Sequence, residues 1–167
     1  MALIEARRGI LGLAFAIVLS APAFGHGNPT HSAAPRNKAA KAEQMPFGIA
    51  GDSRNVARTI DMDALDTFRF IPSTISVKRG ETIRFIMHNR GTLMHEIVIG
   101  TMAGLHEHAE LMKKFPEMEH EEPYMSHVAP GKVGEIVWRF NRAGTFNFAC
   151  LIAGHFEAGM VGTISVR

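Results

Sequence analysis

Three residues near the C-terminal end of the chain carry the most specific chemistry. Cys150, His155 and Met160 follow one another as C-x4-H-x4-M in "ACLIAGHFEAGMVG". Cys150 is the only cysteine, so it has no disulfide partner within the chain. Thiolate and imidazole bind copper or zinc, and a thioether favours copper(I). Two histidines and a cysteine in a plane, with a weak axial methionine, make an electron-transfer copper site. This stretch supplies three of those four donors, so one histidine must come from elsewhere. His95 fits best, because it follows the loop "NRGTLM" and opens the apolar stretch "HEIVIG". His88 is the alternative, but its parity is opposite to Ile83, Phe85 and Met87, which turns it toward solvent. Without a metal, the same set would be a buried cysteine, a surface histidine and a core methionine.

The elements around these donors read as β. "FRFIPSTISV" and "ETIRFIM" are apolar runs separated by the turn "KRGE". Ile75 and Val77 share one face, and Ile83, Phe85 and Met87 share another. His95, Ile97 and Ile99 have one parity. "GKVGEIVWRF" alternates imperfectly at Val133, Ile136 and Trp138, which predicts a bulge near Gly134. "GTFNFAC" brings Cys150 to a strand end, and "GMVGTISV" closes the chain from Met160. Gly154 and Gly159 precede the two later donors and permit tight turns. Seven or eight short strands between glycine and proline turns predict an all-β sandwich.

One segment departs from this pattern. Residues 101–127 predict a short helix near Glu107 to Phe115, ended by Pro116. Leu111 and Phe115, four apart, are predicted to face the sandwich together. The segment carries His106, His108, His120 and His127 with Met102, Met112, Met118 and Met125. These residues could capture additional copper, or the helix could simply pack its apolar side while the polar groups stay solvated.

The outer bounds are simpler. In a chain of 167 residues, "MALIEARR", the apolar run "GILGLAFAIVL" and the small residues "SAPAFG" have the layout of a secretory signal over residues 1–25. Cleavage after Ala23 or Gly25 is expected, and an uncleaved anchor is the alternative. Residues 26–46 are polar and broken by Pro29, Pro35 and Pro46, so they predict a flexible tail before a domain at 47–167. His26 and His31 lie in that tail, and cleavage after Gly25 would make His26 an N-terminal chelator. Export makes the lone thiol more significant, because it then works in an oxidising compartment. The 18 basic and 16 acidic residues nearly cancel, and no Lys/Arg block suggests nucleic acid. No other stretch is long and apolar enough to cross a membrane.

"NRGTLMHEIVIG" together with "GTFNFACLIAGHFEAGMVGTISV" resembles the cupredoxins, the type 1 copper proteins, over about residues 60–167. The C-x4-H-x4-M loop looks like that of auracyanin-type members. The insert and the "MHE" form look most like the periplasmic copper-tolerance cupredoxins of the CopI type. The resemblance implies a Greek-key β-sandwich with one short helical insert. It also implies one copper held by His95, Cys150, His155 and Met160. Glu96 departs from plastocyanin and azurin, which have asparagine there. A carboxylate accepts hydrogen bonds but cannot donate as an amide does, which leaves colour and potential open.

The resemblance implies a periplasmic redox protein contributing to copper tolerance. The alternative is a dedicated carrier between respiratory or photosynthetic partners. In either case a redox partner protein is expected, docking over His155. Catalysed copper(I) oxidation would need an external electron acceptor, since a lone type 1 site holds one electron.

Overall fold

The computed structural model describes residues 43–116, 118 and 120–167. The signal segment and the histidines of the tail lie outside them. Among the described residues the strands run β1 (Ile49–Ala50), β2 (Arg58–Leu65), β3 (Arg69–Ile71), β4 (Thr74–Val77), β5 (Thr82–Asn89) and β6 (His95–Gly100). After the helix α1 (Met102–Lys114) come β7 (Met125–Val128), β8 (Val133–Arg139), β9 (Gly144–Ala149) and β10 (Val161–Val166). The strands outnumber the seven or eight expected because β1, β3 and β7 are too short to show alternation.

Two five-stranded sheets form the sandwich, in the orders β1-β8-β5-β2-β3 and β4-β10-β9-β6-β7. Two pairings between non-consecutive strands, β2 with β5 and β4 with β10, are parallel. The chain therefore crosses between sheets, as a Greek key does. Ile83, Phe85 and Met87 point inward from one sheet, and Ile97, Ile99 and Phe148 from the other, all fully buried. Each such side chain contributes roughly 1.5–3 kcal/mol by leaving water. Trp138 lies within the same core, stacks on Phe47 and donates its Nε1–H to the Phe47 carbonyl at 3.1 Å.

The expected bulge is absent. β5 and β8 pair without interruption from Thr82↔Arg139 to His88↔Val133. Gly134, Ile136 and Trp138 share the inward parity, and Val133 is simply outward and exposed. Glycine is required at 134 because a Cβ there would collide with Val128 and Ser126 of β7.

The helix is longer than expected and turned differently. Thr101 caps it, accepting the Gly104 N–H at 3.2 Å, and Phe115 ends it just before Pro116. Leu111 and Phe115 are exposed, contrary to the expected packing. The buried stripe is Leu105, Ala109 and Met112, spaced i, i+4 and i+7. It packs on Val98, Met125, Ala149 and Leu151. Every residue of β6 is therefore buried. Ile97 and Ile99 belong to the sandwich core, and Val98 packs under the helix. That second layer is why a carboxylate, Glu96, sits only 1% exposed.

Candidate metal centre

Cys150 follows the last residue of β9, where the ladder to β6 stops. The pairing ends at Val98↔Ala149. Beyond it the Glu96 N–H points to Cys150 Sγ at 3.5 Å instead of to a strand carbonyl. The start of β6 thus meets the cysteine at the end of the sandwich.

The loop from Cys150 to Met160 closes on itself through backbone bonds. His155 N–H donates to the Ile152 carbonyl at 2.9 Å, and Met160 N–H donates to the His155 carbonyl at 3.0 Å. Cys150 N–H donates to the Met160 carbonyl at 3.1 Å. Gly154 and Gly159 take φ of 89° and 87°, in the region that side chains disfavour. The sequence reading of these glycines as turn residues agrees with the structure.

His95, Cys150 and His155 converge, with their donor atoms within 4.8 Å of one another. Cys150 Sγ lies 3.2 Å from His155 Nδ1, and the two imidazole centroids are 5.1 Å apart. Met160 is fully buried in the core cluster that also contains Cys150. His88 is elsewhere: it lies outward on β5, with Nε2 3.3 Å from Asp61 Oδ1. The structure brings His95, Cys150 and His155 together, places Met160 in the same core cluster as Cys150, and leaves His88 apart.

The residues around the donors prepare them for a cation. Asp66 Oδ1 lies 3.1 Å from His95 Nε2. A carboxylate there accepts the hydrogen bond of Nε2–H and leaves Nδ1 as the lone-pair nitrogen. That Nδ1 is buried and has no hydrogen-bond partner among the described residues. Asp66 is itself anchored. The Thr92 N–H leads in holding its carboxyl near 2, with help from the Thr92 hydroxyl, His95 and the Leu93 N–H. Burial, and then His95, lower the His155 pKa, so its ring is neutral and can ligate. Burial pushes the Cys150 thiol up to about 12. A bound cation would be needed to hold the thiolate there. The donor set, with an orphaned buried nitrogen beside a buried thiol, fits one type 1 copper.

Two supports were not legible in the sequence. Asp66 lies 29 residues before His95, in the turn between β2 and β3, and nothing local marks it. Asn89 fixes the loop before His95. Its Nδ2 donates to the Leu93 and Val128 carbonyls at 2.7 and 2.8 Å, and its Oδ1 accepts the Gly91 N–H. The phrase "NRGT" signals that turn but not its bonding.

The Glu96 departure also has a structural answer. Its Oε1 accepts the Leu151 N–H at 2.7 Å, and its Oε2 faces His127 Nε2 at 2.8 Å. Glu96 and His127 are cross-strand partners of β6 and β7. The carboxylate ties the cysteine loop by accepting.

Residues 55–167 match the family model of copper binding proteins, plastocyanin/azurin family. The chain is 45% identical over 155 residues to the copper-resistant cuproprotein CopI of Rubrivivax gelatinosus, covering 93% of this chain and 94% of that one. It is 31% identical to the protein of the same name from Pseudomonas aeruginosa, over 78% of this chain and 87% of the other. Among solved structures, auracyanin from Roseiflexus castenholzii superposes with a TM-score of 0.58 at 19% identity, covering 67% of this chain and 98% of that one. Auracyanin B gives 0.59 at 19% identity, over 75% and 99%. These likenesses establish the sandwich fold. Among the described residues no helix is long and apolar enough to cross a membrane.

Proposed function

Because the chain belongs to the plastocyanin/azurin family of copper-binding proteins, we propose that it is an exported type 1 copper protein that transfers single electrons and contributes to copper tolerance. The observation that carries this reading is 45% identity to a copper-resistant cuproprotein over 93% of the chain. The proposed ligands are His95, Cys150, His155 and Met160. Copper held there would supply one-electron chemistry between copper(I) and copper(II). The protein's part would be to hold two imidazoles and the Cys150 sulfur fixed, and the backbone-bonded loop and the Asp66 contact support that reading. Proposed export rests on the signal-like residues 1–25, which would deliver a tail at 26–46 and the copper domain at 47–167 to the periplasm.

The test is a deletion strain grown with and without added copper, complemented by the normal gene or by Cys150→Ser. Sensitivity to copper, rescued only by the normal gene, supports tolerance. A respiratory defect without added copper, and no sensitivity, would favour the dedicated carrier.

One observation favours an electron port for the carrier reading. His155 is 8% exposed, and Ala153, Gly154 and Ala158 around it are small and exposed. A partner protein docking there would reach the proposed ligand by its shortest path. Ala158→Lys adds charge to that patch without touching a ligand. The visible spectrum should stay unchanged while electron exchange with a small redox protein slows.

A further inference from the structure

A second group of soft donors gathers under α1, beside the Glu96 edge of the sandwich. His108 comes from α1, His120 from the chain after Pro116, and His127 from β7. Their rings form a row, with centroids 4.6 Å apart for His108 and His120 and 5.9 Å apart for His120 and His127. The row borders a cleft of about 980 Å³ whose walls include Met94, Glu96, Met112, Met118, His120 and His127.

One nitrogen of the row is set up as a lone pair. His120 Nδ1 donates to the Met118 carbonyl at 3.1 Å, so its Nε2 is the acceptor nitrogen. That Nε2 is buried and has no hydrogen-bond partner among the described residues. An unpartnered buried nitrogen is costly, and a ligand would remove the cost. His127 Nε2 lies 2.8 Å from Glu96 Oε2, a contact that raises the His127 pKa and ties that ring to the carboxylate, so His127 stands at the edge of the group. Burial first, and then the neighbouring His120, lowers the His108 pKa, which favours the ring form that can ligate.

Packing explains only part of this group. Met112 is buried in the cluster under the helix. Met94 and Met118 are 45% and 41% exposed, so packing does not account for them. Imidazoles with thioethers and no thiolate are donors suited to copper(I).

We propose that His108 and His120, assisted by His127 and the Met118 thioether, form a second copper(I) site distinct from the cysteine centre. The three imidazoles are spread along a row instead of closing about one point, so capture draws His108 and His120 together. The proposal stands apart from copper tolerance, because it concerns only what the chain binds.

Copper(I) equivalents are counted by competition with a chromophoric chelator, using the full chain carrying His26→Ala and His31→Ala to silence the tail. Two equivalents are expected. Adding His108→Ala and His120→Ala should leave one, with the copper(II)–thiolate band of the cysteine centre unchanged. One equivalent in both chains, or two in both, overturns the second site and leaves the type 1 reading untouched. If the quadruple variant does not fold, imidazole ¹⁵N resonances of the unaltered chain decide. The second equivalent of copper(I) should shift those of His108 and His120. Shifts confined to His26, His31 or His106, or no shifts, overturn it.

Discussion

The Glu96 carboxylate accepts the Leu151 N–H at 2.7 Å, so the residue after His95 is bonded directly to the residue after Cys150. The two halves of the proposed copper site are therefore held by one buried side chain. Its negative charge also lies close to where copper would sit, and a nearby negative charge favours copper(II) over copper(I).

Glu96→Gln keeps an oxygen that can accept the Leu151 N–H and removes the charge. Copper should be retained and the reduction potential should rise. Glu96→Ala strands a buried N–H, at a cost of about 1–3 kcal/mol in stability. Voltammetry and urea unfolding check the two effects. A lower potential in Glu96→Gln would show that the carboxylate does not act through its charge.

Asp66→Ala removes the group that fixes the His95 ring. Loss of such a support typically costs about 10–100-fold in metal affinity. The visible band should survive at saturating copper, since no proposed ligand is lost. Chelator competition measures the affinity, and an unchanged value would mean that packing alone orients His95.

The parts visible in the sequence and the parts hidden from it differ in physical kind. Cys150, His155 and Met160 are legible because three uncommon donors recur at fixed spacing within one loop. His95 is legible because strand parity separates it from His88. Asp66 is hidden because its role depends on a contact across 29 residues. The Glu96–His127 pair is hidden because it depends on the register of a four-residue strand. The helix face is misread for a simpler reason: Leu111 and Phe115 give one i, i+4 pair, whereas the stripe beginning at Leu105 extends over three positions.

Copper uptake should release a proton. Burial holds the metal-free Cys150 thiol near 12, so at neutral pH it is protonated and must lose that proton to ligate. His155, with its pKa lowered, contributes none. Copper(I) affinity should therefore rise about tenfold per pH unit between about pH 7 and 9. A flat profile would mean that the thiolate is already present in the metal-free chain.

Met160→Leu tests the proposed axial position. An axial thioether tunes potential more than it holds the metal. The variant should keep copper and show a raised potential. Complete loss of copper would make Met160 a principal ligand.

The type 1 assignment is tested most directly by the visible spectrum of the copper(II)-loaded chain beside Cys150→Ser. An intense band is expected in the unaltered protein, because copper bonded to thiolate absorbs strongly. It should vanish in Cys150→Ser, be perturbed in His95→Ala and stay unchanged in His88→Ala. An unaltered protein without the band, or a band that persists without the Cys150 sulfur, would contradict a type 1 copper centre at the end of this sandwich.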